Sequence, residues 1–393
     1  MRTILVVGGI DAGFSTAWKL EKKLRRGEAR IALVDPRPYL TYQPFLPEVL
    51  AGSVEARRAA VSLRRHLRRT QLVAGTVTRS HGHRTVVHTL RHHRRHRRLG
   101  DAQAGHPGLA EQAIGMKHAE EAVAIRDRLS TAFDRAATLD PPLRRRLLTV
   151  TFVGGGFSGV EGFGELLSLA TSVVRAYPEL SVAELGLHLL EARGRILPEV
   201  TDRPARWVVD SQEKHGARIH LNAEVVSARD GHVVLSTGEE FDSELIVCTV
   251  GNAANPLVHN HTDLPVDRNG MLTALADLRV STDASPVPDA WAGGDDAAIP
   301  DLASDVPGAA TVPNAQHAVR QGKLLAKNIV ATLRGRDPKP YVHHSLGTVA
   351  TLGLGRGIFQ FRRLVIKGFP AWLMHPPAQA ELRVPHHNAR PAR

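Results

Sequence analysis

Hydrophobic residues in this chain come in short runs that stop at a glycine or an acid. Residues 3–8, TILVVG, are apolar up to a glycine. Residues 14–26, FSTAWKLEKKLRR, space their apolar positions as a helix does and end basic. Residues 30–35, RIALVD, form a second apolar run that closes on Asp35. Strand, glycine turn, helix and acid-terminated strand make a βαβ unit. The order returns at 148–153, LTVTFV, then GGGFSGVEGFGELLSLATSVV, then 185–191, LGLHLLE, which closes on Glu191. Two such units predict two nucleotide sites.

Farther on, residues 225–251 read as hairpin strands with Asp-Gly and Thr-Gly turns, followed by a buried strand. Residues 287–295, VPDAWAGGD, predict a strand ending in Gly-Gly-Asp, and 313–332 predict a helix with Pro313 at its start. Residues 341–375 form an apolar and basic tail.

The second glycine turn has the full G-x-G-x-x-G spacing in Gly154, Gly156 and Gly159. The first glycine permits the tight turn, the second lets a pyrophosphate approach the backbone, and the third lets helix and strand pack closely. The helix start adds free N–H groups and a partial positive charge. Glu191 lies 32 residues after Gly159, longer than the usual separation of about 20. An acid there bonds a ribose 2′-hydroxyl and repels a 2′-phosphate, which favours NADH over NADPH. In the first turn Gly8, Gly9 and Gly13 are present, but the middle motif position is Ile10 and an acid, Asp11, follows. Asp35 stands 22 residues after Gly13, the distance for a ribose contact. The first site is recognisable and expected to be weakened.

Composition narrows the chemistry. The chain has 393 residues, room for two or three domains. Its one cysteine, Cys248, excludes a disulfide framework and a Cys-x-x-Cys redox pair. No apolar run reaches the length of a membrane span, and the first residues read as a strand rather than a secretion signal. A cytoplasmic location is compatible with the single cysteine. Net charge is +12, concentrated in RHHRRHRR at 91–98 and near the C-terminus. That basic run has no interleaved aromatics and no zinc spacing, so neither nucleic-acid binding nor a metal site is expected from it.

The chain resembles the type II NADH:quinone oxidoreductases over roughly residues 3–86 and 107–375. The resemblance is carried by VDPRPYLTYQPFLPEVLAGSVE at 34–55, FVGGGFSGVEGFGEL at 152–166, GRILPEV at 194–200, WAGGDDAAIPD at 291–301 and PNAQHAVRQ at 313–321. It implies an α/β fold of two Rossmann-like dinucleotide-binding domains with a short C-terminal region. FAD would sit in the first fold (1–110 and 251–340) and NADH in the second (111–250). Residues 341–393 would be a shortened membrane-associating region.

By the same resemblance, electrons pass from NADH through flavin to a quinone without proton pumping. Gly294 and Asp295 match the pair that meets the flavin ribityl chain and phosphate, and Pro44–Pro47 match a loop near the flavin. Ala315 and Gln316 match a pair lining the quinone channel. The second glutamine of that motif is replaced by Arg320, with Gln321 beside it. Glu161 matches an acid assigned to proton handling; alternatively it is a first-turn helix acid favoured by the dipole. The resemblance also implies peripheral contact with the inner face of the cell membrane and admits a homodimer. Within the tail, Phe369, Trp372 and Leu373 with Arg363 and Lys367 read either as a membrane-facing surface or as a small packed core.

Two departures stand out. Members of that family have an apolar strand, ending beside the flavin, where residues 90–100 here read LRHHRRHRRLG. As buried strand its charges would lack partners. Leu, Arg and His codons read one nucleotide later can spell the apolar strand, which suggests a compensating pair of frameshifts; bases that cannot spell it would refute this. The chain also stops before the family's last amphipathic helices. An alternative is therefore a degenerate pseudoenzyme that binds NADH but not FAD.

Overall fold

The computed structural model describes residues 1–77, 85–88, 106–250, 258, 262–282, 285–343, 345 and 347–380. The chain divides into two compact units: Met1–Thr41 with Ala60–Arg94 and Asn252–His344, and Tyr42–Ala59 with Arg95–Gly251 and Ser345–Arg393. The Arg/His-rich run 91–98, and with it the proposed frameshift, lies outside the described residues.

The first unit is a six-stranded sheet among the described residues. Its order is Arg279–Thr282, Ser285–Ala292, Thr85–His88, Arg2–Val7, Ala29–Asp35 and Thr70–Ala74. All neighbours are parallel except the first pair. The expected strand 3–8 and the acid-closed strand 30–35 are both here, within a residue of prediction. Thr85–His88 fills the sheet position between Arg2–Val7 and Ser285–Ala292. Its Val86 and Val87 are buried, as a strand between two neighbours requires. The helix Asp11–Lys23 starts three residues before the periodicity suggested. It meets the helix Ala315–Leu333 at Gly322, where a Cβ would fall 2.3 Å from the Ala12 carbonyl oxygen. The Thr16 hydroxyl donates to the Gly322 carbonyl at 3.1 Å across that contact.

Ala315–Leu333 is the helix foreseen at 313–332; it starts two residues after Pro313, with Asn314 as its cap. The Asn314 side-chain oxygen accepts from the His317 amide at 2.8 Å, satisfying one orphan donor of the first turn.

In the second unit a parallel sheet runs Ala217–Leu221, Gly186–Glu191, Thr149–Val153, Leu245–Cys248, Ala113–Ile114. Thr149–Val153 is buried at every position, the signature of a central parallel strand. The predicted hairpins are present as an antiparallel sheet of Val225–Ser227, His232–Leu235 and Glu240–Asp242. Gly231 and Gly238 take φ of +80° and +86° at the Asp-Gly and Thr-Gly turns.

Phe133, Phe152 and Phe163 anchor this unit's core. Leu46, Val49 and Leu50, from the helix Leu46–Leu50, and Ala350, Leu352 and Ile358, from the tail, belong to the same cluster. Segment 42–59 and the tail thus share the second unit's hydrophobic core. The tail is an antiparallel sheet, Thr348–Thr351, Gly357–Phe361 and Leu364–Lys367, then the helix Phe369–Ala380. Among the described residues no helix is long and apolar enough to cross a membrane.

Candidate functional site

The two glycine turns are built on one template, each within its own unit. The Gly8 amide donates to Val34 O at 2.9 Å and the Gly154 amide to Leu190 O at 2.8 Å. Both glycines have positive φ, +96° and +114°, which a side chain would resist. The next amide donates to the acid closing the following strand: Gly9 to Asp35 Oδ2 and Gly155 to Glu191 Oε2, each at 2.7 Å. The other oxygen of each acid accepts the amide two residues on, Arg37 at 2.8 Å and Arg193 at 2.9 Å. These charge-assisted bonds lock turn to strand end and hold both carboxylates in place. Burial raises the Asp35 pKa, and the Gly9 and Arg37 amides oppose that rise. Gly9 was among the expected residues; Gly155 and the amides of Arg37 and Arg193 are parts of the device that the motif spacing does not reveal.

At the second turn the glycines separate by task. A Cβ on Gly159 would lie 1.9 Å from the Gly154 carbonyl oxygen, so this position brings helix against turn. A Cβ on Gly156 would meet nothing within 4 Å. Its φ of −72° is ordinary, so glycine here leaves open space rather than relieving strain. That is the space a pyrophosphate needs, and the residues fit a bound dinucleotide.

Ile10 occupies the same place in the first turn, with the same extended backbone: φ −96° and ψ 178°, against −72° and 179° at Gly156. Phe14 N–H donates to Ile10 O as Val160 N–H does to Gly156 O, both at 2.9 Å. The turn's backbone, glycine entry and acid bracket fit a dinucleotide. The departures are side chains rather than backbone: Ile10 stands where the second turn is open, and Asp11 follows where the second turn has Phe157.

Also in the first unit, Gly294 has φ +86° and its amide donates to Gln321 Oε1 at 2.7 Å. Gln321 Nε2 donates to the Thr311 hydroxyl at 3.1 Å. Both ends of this buried amide are engaged, so Gln321, expected as a catalytic residue, has a positioning task on the Gly294–Asp295 loop. Gln316 and Ala315 lie half-buried in the first turn of their helix, and Arg320 Nη1 approaches Gln316 Oε1 at 3.3 Å. The arginine that replaces the motif's second glutamine is thereby tied to the first.

Glu161 lies in the second unit on the helix Phe157–Val173. Its Oε1 accepts from the Thr351 amide of the tail at 3.2 Å and lies 3.7 Å from His375 Nε2. His375 Nδ1 lies 3.6 Å from Glu48 Oε1. Burial, then the neighbouring Glu48 charge, pushes Glu161 up to about 8. Glu48 is also raised to about 8 by burial. Glu165, one turn beyond Glu161, is raised to about 7 by burial, with Arg356 opposing. Burial holds His375 down near 4. Near neutral pH Glu48, Glu161 and His375 are therefore mostly uncharged, and Glu165 is near its midpoint. Pattern reading found only Glu161 of this set, because Glu48 and His375 are brought to it by the fold.

A second histidine group sits at the sheet edge of the same unit. His188 Nδ1 and His220 Nε2 are 3.0 Å apart, with ring centroids 5.2 Å apart and planes within 8°. Those values place the rings edge to edge in one plane, joined by an in-line N–H···N bond. His220 Nδ1 faces Glu239 Oε2 at 3.3 Å, and Phe241 stacks on His188 at 4.0 Å. His188, His220 and Glu239 thus form a chain of groups at hydrogen-bond or ion-pair distance.

Residues 2–322 match the family model described as pyridine nucleotide-disulphide oxidoreductase. The type II NADH:quinone oxidoreductase Ndh of Mycobacterium tuberculosis is 28% identical over 396 residues, covering 94% of this chain and 82% of the relative. The type II NADH:quinone oxidoreductase of Haemophilus influenzae is 24% identical, covering 90% and 85%. NDH2 from Plasmodium falciparum, solved in complex with NADH, superposes with a TM-score of 0.83 at 15% identity, covering 97% and 95%. Sulfide:quinone oxidoreductase of Aquifex aeolicus gives a TM-score of 0.74 at 16% identity, covering 97% and 90%. With two acid-bracketed dinucleotide turns and a model match over most of its length, the chain belongs to the pyridine nucleotide-disulphide oxidoreductase family.

Proposed function

We propose that this protein is an NADH dehydrogenase that passes electrons from NADH through FAD to a quinone. The observation that carries the reading is the repeated turn: two dinucleotide cradles of one construction in a chain whose single cysteine, Cys248, is buried. Without a thiol pair, electrons from NADH leave through a flavin rather than a disulfide. Relatives at 22–28% identity bear the name type II NADH:quinone oxidoreductase, which supports the same acceptor.

NADH would be held by Gly154, Gly155, Gly156 and Gly159, with Glu191 fixed at the strand end to select a ribose hydroxyl over a phosphate. FAD would be held by Gly8, Gly9, Gly13 and Asp35, with Gly294 and Asp295 from the loop that Gln321 pins, and it supplies the redox chemistry when bound. Gln316 is proposed as a quinone-contacting residue of the first unit, and Glu161 as a proton-holding group of the second.

The membrane reading of the tail has support in its last helix. Ala371 and His375 face inward, while Phe369 and Leu373 are 56% and 52% exposed. Leu364 and Leu354 are exposed too, with Arg362, Arg363 and Lys367 nearby in sequence. Apolar side chains outward beside cations suit a peripheral position on an anionic membrane face. A homodimer remains an expectation for sedimentation to test.

The test is spectroscopic. Protein purified and incubated with FAD should be yellow, bleach on adding NADH under anaerobic conditions, and recover colour on adding a short-chain quinone. A preparation that is colourless once unbound FAD has been removed by gel filtration, while still binding NADH, would overturn the reading in favour of an inactive NADH-binding protein.

A further inference from the structure

Three carboxyl groups and an imidazole meet inside the second unit, from three separate stretches of chain. Glu48 comes from the helix Leu46–Leu50, Glu161 and Glu165 from Phe157–Val173, and His375 from Phe369–Ala380. His375 is 8% exposed at its side chain and presents one ring nitrogen to each of two carboxyls, 3.6 Å to Glu48 and 3.7 Å to Glu161. Among the described residues, Arg356 is a cation that acts on Glu165. Glu48 Oε2 and the Thr351 hydroxyl are buried without a hydrogen-bond partner among the described residues. A buried, unpartnered carboxylate oxygen is costly when charged, so Glu48 is held as the neutral acid.

We propose that His375 carries protons between Glu48 and Glu161, making Glu48–His375–Glu161, with Glu165 behind, the proton supply for quinone reduction. This rests on the quinone reading above. Reduction of a quinone by two electrons takes up two protons; NADH brings one with its electron pair and solution supplies the other. When Glu161 has given its proton to a quinone oxygen, the Nε2–H of His375 passes to the Glu161 carboxylate. The Glu48 hydroxyl proton passes to Nδ1 in the same step, and Glu48 refills from solution. The imidazole ends as the other neutral tautomer and resets by turning its ring. No charged imidazolium forms, which suits a site whose burial disfavours one. The two separations exceed hydrogen-bond length here, and each must close by under about 1 Å for transfer.

The inference has a readout that does not involve turnover. Infrared spectra of the full-length protein should show protonated buried carboxyl groups at neutral pH that ionise as pH rises through about 8, and Glu48→Gln should remove one component. A spectrum with all these carboxyls ionised at pH 7 overturns the proposal. In turnover, His375→Ala and the gentler His375→Gln should lower the ratio of quinone to ferricyanide reduction on the order of tenfold, because ferricyanide takes electrons without protons. Added imidazole should partly rescue the alanine variant. A wild-type ratio and pH profile in both variants overturns the relay. A wild-type protein that reduces ferricyanide but no quinone would instead defeat the functional reading, and the infrared titration would still decide whether the array stores protons.

Discussion

The carboxylate of Asp35 accepts the Gly9 amide at 2.7 Å, and its other oxygen accepts the Arg37 amide at 2.8 Å. Glu191 repeats the bracket on Gly155 and Arg193. An acid held this way is oriented before any ligand arrives, so binding loses little side-chain entropy in ordering it. Glu191→Ala should therefore raise the KM for NADH by roughly tenfold or more with a smaller change in kcat, and narrow the preference over NADPH. Steady-state kinetics with both nucleotides would show it; an unchanged NADH/NADPH ratio would count against the ribose role.

Ile10 and Gly156 hold the same backbone conformation at the same turn position, so exchanging them isolates the side chain. Ile10→Gly should tighten FAD binding about tenfold, near 1.4 kcal/mol, measured by quenching of flavin fluorescence. Gly156→Ile should weaken NADH by at least as much. If Ile10→Gly leaves FAD affinity where it was, the isoleucine does not reach the ligand.

Gly159 tests packing rather than chemistry. A single methyl there would press on the Gly154 carbonyl oxygen at 1.9 Å, backbone against which nothing flexible can yield. Gly159→Ala should cost about 2 kcal/mol or more in urea unfolding, whereas Gly156→Ala, into open space, should cost far less. Equal costs would mean the turn relaxes.

Buried groups of two kinds set opposite pH limbs. Burial holds His188 down to about 3, so folding favours its neutral form. Its contribution is whole above the unfolded value of about 6.5 and is lost as pH falls from there toward 3. Glu161 and Glu48 are raised to about 8, so theirs is whole below about 4.5 and is lost as pH rises toward 8. Stability against denaturant should peak in mildly acidic solution. Glu161→Gln should flatten the alkaline limb and His188→Gln the acid one. An alkaline limb of the same slope in Glu161→Gln would show that this carboxyl is not the cause.

The tail helix offers a surface test. Phe369→Ser with Leu373→Ser should reduce co-sedimentation with anionic vesicles several-fold while leaving the fold intact by circular dichroism. Binding that persists unchanged would remove the exposed apolar face from the membrane reading.

The chain's local patterns specified a great deal. Apolar runs ending in Asp35 and Glu191, with glycines at fixed distances before them, gave the parallel sheets and both cradles. Each is a short-range device: a strand, a turn and a helix start that meet through neighbouring residues. The helix at 315–333 was foreseen the same way, and its cap proved to be Asn314. Nothing local announced that Gln321 would spend both ends of its amide on Gly294 and Thr311.

Sequence alone thus fixed the two-cradle plan, because periodicity and glycine spacing act over a few residues and survive without knowledge of the rest. Only the tertiary structure decided that Glu48, Glu161, Glu165 and His375 share one buried pocket. Their pKa values come from desolvation and from one another's charge, and both depend on which distant segments the core brings together. The same holds for Ile10: its letter showed a missing glycine, but only the matched backbone of Gly156 showed that the difference is one of space rather than of strain.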